Sequence, residues 1–337
     1  MTNKTFNSSI SKSEIKLEKV AQETISDIAF AANSSSILAA TSWDGTFKVW
    51  HFDEKLSNCS QIYEWKDPKR QKSSLLRVTF RNDKDVAYVS NIHGEIYKIN
   101  PEEKCEVIGQ HLGPVFGLKY LPSKNVIVSA SSDRNLCMWD DRVKGLIAKM
   151  ELPSKAIYAD ANHDSVVLAL NGDKVGIVNL TAFPKITCEE MNADCKSQLT
   201  SIAISSDGSS FIAGSFTGAL AFGDIKTKKI TERKQIHQKN TSPTIGSNRV
   251  AMTMEKKCAL SAGSDGRVAF INMETGKVNE KEIIKGATHI SAIAASSKYP
   301  LYALASGYDW SRGGQYALEN GMGQVEMVLC KVNSTDF

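Results

Sequence analysis

The chain has 337 residues, 42% of them hydrophobic and 23% charged, with a net charge of +4. That is ample apolar material for a core, and too small a charge imbalance to argue by itself for a nucleic-acid or anionic-membrane partner. The seven cysteines (Cys59, Cys105, Cys137, Cys188, Cys195, Cys258 and Cys330) form no C-x-x-C pair, which suits a reduced intracellular protein. The opening MTNKTFNSSISKSEIK lacks the apolar stretch of a secretory signal, and no long apolar run suggests a membrane span.

In chain order, residues 1–13 read as a flexible tail and 14–18 (EIKLE) as an isolated alternating strand. ISDIAF (25–30) is a short strand candidate, followed by ILAATSWDGTFKVW (37–50), two strand-like runs around Asp44-Gly45. Asp-Gly between such runs signals a hairpin. The same unit returns as SLLRVTF with VAYVSNIHGEIYKI (74–80, 86–99) and PVFGLKY with VIVSASSDRNLCMW (114–120, 126–139). It recurs as AIYADA with VVLALNGDKVGIV (156–161, 166–178) and LTSIAI with FIAGSFTGALAFG (199–204, 211–223). NRVAMTM with ALSAGSDGRVAFI (248–254, 259–271) follows. The last unit is HISAIAA with LYALASGYDW (289–295, 301–310), which resumes after a Gly-rich aromatic loop as QVEMVLCKV (324–332).

The turn positions Asp44, His93, Asp133, Gly172, Thr217 and Asp265 recur every roughly 40–50 residues, the period of a four-stranded propeller blade. The runs are short, alternate with period two and are rich in β-formers, which rules out a helical reading. The pattern predicts an all-β, seven-bladed β-propeller over residues 14–333. Only five residues follow Val332, so the last blade lacks a fourth strand; 14–18 is expected to supply it and close the ring.

Within the third unit, His111, Ser129, Asp133 and Trp139 form the fullest WD-type signature. A His, a Ser and an Asp invite a hydrolase reading. Their spacing follows the repeat and no G-x-S-x-G elbow is present, so they read as a structural network. The histidines show no zinc-ligand spacing, and neither a P-loop nor a dinucleotide fingerprint occurs, so no metal, cofactor or catalytic residue is expected. Two basic stretches stand out: Lys66, Lys69, Arg70 and Lys72, and Lys226 to Lys239. Each is either solvated loop charge or a patch for an acidic peptide or phosphate backbone. The 308–323 loop is either packing at the ring closure or a binding lip.

The segments Leu38-Ala39-Ala40-Thr41-Ser42-Trp43, Ile108-Gly109-Gln110-His111-Leu112-Gly113-Pro114-Val115, Leu152-Pro153 with Tyr158-Ala159-Asp160, and Gly263-Ser264-Asp265-Gly266-Arg267 carry a family resemblance. They resemble the nuclear mRNA export factors of the Rae/Gle type, kin of the Bub-type mitotic checkpoint WD-repeat proteins. The near-terminal Ala305-Ser306-Gly307-Tyr308-Asp309-Trp310-Ser311-Arg312-Gly313 favours the export branch. The resemblance implies a non-enzymatic adaptor that binds a nucleoporin GLEBS-type peptide and docks messenger ribonucleoprotein, with direct RNA contact left open. It implies a place in the nucleus, at the nuclear envelope and pore, and in the cytoplasm, without membrane insertion. The alternative is a spindle-checkpoint-type peptide-binding propeller. The peptide site it implies comprises His237, Gln238, Lys239, Arg233, Arg267 and Trp310. The family's K-C-H-R stretch matches Gln235-Ile236-His237-Gln238 here, followed by Lys239, so its arginine is missing unless Lys239 stands in, and Ile271-Asn272 replaces the family's Trp-Asp.

Overall fold

The computed structural model describes residues 13–32, 36–68, 73–81, 86–143, 145–162, 164–183, 185–237, 246–255, 258–287, 289–309, 315, 319, 324–333 and 335–337. β1 (Glu14–Leu17) precedes the repeats. The first unit is β2 (Ile25–Phe30), β3 (Ile37–Ser42), β4 (Thr46–Phe52) and β5 (Cys59–Lys66). The second is β6 (Leu75–Phe80), β7 (Ala87–Asn91), β8 (Glu95–Ile99) and β9 (Glu106–Gln110). β10 (Val115–Leu121), β11 (Val126–Ser131), β12 (Asn135–Asp140) and β13 (Gly145–Glu151) follow. Next come β14 (Ala156–Asn162), β15 (Ser165–Leu170), β16 (Lys174–Asn179) and β17 (Thr187–Asn192). Then come β18 (Leu199–Ile204), β19 (Ser210–Ser215), β20 (Ala219–Asp224) and β21 (Lys229–Gln235). β22 (Ser247–Met252), β23 (Cys258–Gly263), β24 (Arg267–Asn272) and β25 (Val278–Glu282) precede β26 (Ile290–Ala295), β27 (Leu301–Ser306) and β28 (Glu326–Lys331).

Each unit is an antiparallel meander, and its burial falls outward. β3, β11 and β23 are buried throughout, whereas β5, β13, β17 and β21 expose most of their residues. The innermost strands β2, β6, β10, β14, β18, β22 and β26 follow one another around the ring, and β26 returns to β2. The apolar side chains lie in layers between neighbouring sheets. In one such layer Tyr88 and Ile96 meet Val115, Ile127 and Trp139. A sheet buried on both faces needs apolar residues at successive positions, which explains the nearly continuous hydrophobic runs of the inner strands.

The expectation of a seven-bladed propeller is corrected: five blades are found, not seven. Five four-stranded sheets stand apart as blades, and the eight strands from β10 to β17 form one continuous sheet. The junction is a parallel bridge between the innermost strands, with Gly117 opposite Ala159. Its cause is the lack of side-chain bulk there: a Cβ on Gly117 would lie 2.4 Å from that of Ala159. Here backbone meets backbone.

β1 is the outer strand of the last sheet, paired antiparallel with β28 from Glu14↔Cys330 to Leu17↔Met327. The N-terminal strand thus completes the C-terminal sheet. Past residue 333 the chain folds back on β24 and β25. Phe337 packs edge-on against Phe270, Asp336 pairs with Lys281, and Lys277 Nζ donates to the Phe337 carbonyl at 3.0 Å.

Candidate functional site

One end of the ring is built by a repeated bond. The turn between the second and third strands of a unit donates a backbone N–H to the loop that enters its first strand. The pairs include Trp43 to Thr24, Ile92 to Ser74, Ser132 to Pro114, Phe216 to Gln198 and Ser264 to Gly246. The turns and entry loops are therefore fixed together, and side chains between them present a shaped surface.

In the third unit this lock is strengthened by side chains. The indole N–H of Trp139 donates to Ser129 Oγ at 2.7 Å, and Ser129 Oγ lies 2.7 Å from His111 Nε2. His111 Nδ1 lies 3.0 Å from Asp133 Oδ2, which also accepts the Leu112 N–H. The Asp133 carboxyl, held below its ordinary pKa, accepts the Nδ1 proton, and in a neutral ring Nε2 then accepts the Ser129 hydroxyl proton. Burial pushes the His111 pKa down, against the pull of Asp133, in keeping with a neutral ring. The order Ser–His–Asp is that of a hydrolase triad, but Ser129 is 0% exposed and its oxygen is held by Trp139. No substrate carbonyl can reach it.

In the sixth unit, His237 is 0% exposed, with Nδ1 3.1 Å from Asp265 Oδ2 and Nε2 2.9 Å from Ser261 Oγ. Ile271, where a tryptophan would complete the set, is buried and apolar. Asp265 also accepts the Arg267 N–H at 3.0 Å, so His237 and Arg267 are brought to one turn. The Arg267 side chain is 54% exposed and faces Glu280 at 3.5 Å. Arg233, on β21, is held apart: its guanidinium pairs with Asp194 at 2.6 Å and donates to the Ala193 carbonyl. Gln238, Lys239 and Trp310 lie outside the described residues, as do Lys69, Arg70 and Lys72 and most of the 308–323 loop. Within the second basic stretch, Lys228 pairs with Glu189, and Lys234 pairs with Glu232 and donates to the Gly276 carbonyl. Much of that charge is balanced locally.

Two residues on this end went unnoticed in the sequence. Leu112 is 94% exposed beside the Asp133 turn, and Phe216 is 45% exposed in the turn between β19 and β20. Their signal was an apolar residue inside a polar turn, in His-Leu-Gly-Pro and Ser-Phe-Thr-Gly. Among the described residues, no three His, Cys, Asp or Glu side chains gather as a metal site.

Comparison with known proteins places this geometry. The model for the WD domain, G-beta repeat, matches residues 16–51 and 103–140. The chain is 24% identical over 315 residues to mRNA export factor rae-1 of Caenorhabditis elegans, covering 87% of this chain and 82% of that protein. It is 24% identical over 313 residues to the Poly(A)+ RNA export protein of Schizosaccharomyces pombe, covering 90% and 86%. The solved structure of the RRP9 WD40 repeats superposes with a TM-score of 0.79 at 11% identity, covering 95% of this chain and 98% of that one, a likeness of fold.

Proposed function

We propose that this WD-repeat propeller, a distant relative of Rae/Gle-type export proteins, is a non-enzymatic adaptor that binds a short nucleoporin peptide and docks messenger ribonucleoprotein at the nuclear pore. The observation that carries this reading is the relation to an mRNA export factor and a poly(A)+ RNA export protein over 87% and 90% of the chain. A propeller whose triad-like side chains are sealed in its own turns fits an adaptor better than a catalyst. On this reading the protein works in the nucleus, at its envelope and in the cytoplasm.

The peptide would lie across the turn-bearing end of the fifth and sixth units. Arg267 offers an exposed cation and Phe216 an exposed aromatic anchor. His237 is buried and acts as a positioning residue: its ring ties its own backbone to the Asp265 turn. Affinity purification of the tagged protein from its source cell, with mass spectrometry of what co-elutes, tests the reading. Nucleoporins and messenger ribonucleoprotein are the expected partners. Checkpoint kinases without nucleoporins would replace it with the checkpoint alternative.

A further inference from the structure

The turn between β15 and β16 reads Asn171-Gly172-Asp173. It stands where other units carry Asp44-Gly45 and Asp265-Gly266, and its glycine has the same left-handed backbone, with φ +82° against +79° and +75°. The side chains before those glycines differ in what they do. Asp44 accepts the backbone N–H groups of Gln22 and Thr46, and Asp265 accepts that of Arg267 and holds His237. Both carboxylates are engaged in the fold. Asn171 is exposed, and its side chain makes no hydrogen bond among the described residues. A Cβ on Gly172 would meet nothing within 4 Å, whereas one on Gly94 would lie 2.4 Å from the His111 carbonyl oxygen. The fourth unit thus presents a free carboxamide next to an uncovered glycine.

That pairing has its own chemistry. A backbone nitrogen that loses its proton attacks the carboxamide carbon of the residue before it, and a glycine, without a Cβ, hinders the approach least. Here the Gly172 nitrogen would bond to Asn171 Cγ, the Cγ–Nδ2 bond would break, and ammonia would leave with the displaced proton. A five-membered succinimide results. Water then opens the ring: attack at Cγ gives aspartate, and attack at the main-chain carbonyl gives isoaspartate. Water is the only co-reactant. One contact opposes the first step. The Gly172 N–H donates to Gln198 Oε1 at 2.8 Å, and Gln198 Nε2 is itself anchored on the Leu199 and Leu170 carbonyls at 2.8 and 3.3 Å. Attack requires that N–H to be given up, and a hydrogen bond made by the protonated form disfavours its ionisation.

We propose that Asn171 is a site of spontaneous modification, in which Gly172 displaces its side-chain amide and water yields aspartate or isoaspartate, and that Gln198 sets the rate as a positioning residue. The product alters the fold locally. Isoaspartate inserts one extra carbon into the main chain between residue 171 and Gly172. The backbone bonds on either side of that point reach two different loops: the Asn171 N–H donates to the Lys155 carbonyl at 2.9 Å, and the Leu199 N–H donates to the Gly172 carbonyl at 3.0 Å. A chain lengthened between them cannot keep both in the same geometry. Either product also adds a negative charge two residues from Asp173, whose carboxylate accepts the N–H groups of Cys195 and Lys196. The site does not depend on the peptide reading.

The test incubates the full chain at mildly alkaline pH and follows the peptide that contains Asn171 by chromatography and mass spectrometry, in wild type and in Gln198→Ala. Slow appearance of aspartate and isoaspartate is expected in the wild type. The rate in Gln198→Ala is expected to be about fivefold higher, the equivalent of one ordinary hydrogen bond. Hydrogen exchange separates this role from a general loosening of the sheet: it should quicken at the Gly172 amide and not at the core amides of β15 and β16. Lost protection at those core amides as well would overturn the role of Gln198. The isoaspartate fraction, isolated by ion exchange, is expected to melt below the unconverted chain, and equal melting overturns the structural consequence. Asn171 that stays intact in both folded proteins, or converts at the same rate in both, overturns the proposal.

Discussion

Trp139 donates its indole N–H to Ser129 Oγ at 2.7 Å, and the same hydroxyl lies 2.7 Å from His111 Nε2. The sixth unit repeats the histidine, serine and aspartate as His237, Ser261 and Asp265, with Ile271 in place of the tryptophan. The same backbone turn is therefore held by two networks of different strength.

Ser129→Ala is expected to lower stability by about 1–3 kcal/mol, because the Trp139 N–H and His111 Nε2 are left buried without their partner. Urea denaturation measures the change. Affinity for any partner peptide should be unaltered, since Ser129 is 0% exposed. A hydrolase activity that disappears in this variant while the unfolding curve is preserved would refute the structural role.

The same network predicts an acid limb. His111 is held below its ordinary pKa by burial, against the pull of Asp133. The folded state keeps the ring neutral while the unfolded chain takes up a proton as pH falls through about 6.5. Stability therefore declines from that point until the lower folded pKa is reached. Burial would raise the Asp133 carboxyl, but the Leu112 N–H and His111 hold it below its ordinary value. Its contribution is present above the unfolded carboxylate pKa and is lost as pH falls through the folded value. Melting temperature measured from pH 8 to pH 5 should fall less steeply in His111→Asn than in wild type; parallel slopes would remove His111 from the acid response.

The pairing of β1 with β28 predicts that removal of residues 1–20 destabilises the whole ring. Leu17 is buried at 4% exposure, and loss of such a side chain costs roughly 1.5–3 kcal/mol before the opened sheet edge is counted. The melting temperature should drop by several degrees, read by circular dichroism. An unchanged value would mean that the N-terminal strand does not stabilise the last sheet.

Strand order was legible because the inner strands are buried on both faces and the turns carry Asp-Gly or its equivalents, as at Asp44-Gly45 and Asp265-Gly266. The joining of β10 to β14 was not legible. Gly117 and Ala159 are small where they meet, and which small residues face each other depends on packing across roughly 40 residues of chain. The burial of His237 was hidden for a related reason: a histidine in a basic stretch reads as surface until its aspartate and serine partners, 28 and 24 residues on, are in place. Gly117→Val should separate the eight-stranded sheet and cost about 1–3 kcal/mol by overpacking. Hydrogen exchange at the Gly117–Ala159 bridge would report it, and unchanged protection would refute the close-approach explanation.

The proposed peptide surface makes the last prediction. A GLEBS-type segment carries acidic residues, and a cation that meets them in a partly desolvated groove contributes strongly. Arginine does this with a bidentate fork, lysine only as a point charge, and Gln238 carries no charge at all. Gln238→Arg is therefore expected to tighten the peptide complex, and Lys239→Ala and Arg267→Ala to weaken it. Phe216→Ser removes the exposed aromatic anchor and is expected to cost about 1.4 kcal/mol, close to tenfold in affinity. Calorimetric titration of one such peptide against these variants measures each effect. Raised salt should erode the charge contributions and spare that of Phe216, because screened ion pairs weaken while apolar burial does not. Tight binding indifferent to all four substitutions would move the peptide to another part of the ring, and no binding at all would remove the support for an export adaptor.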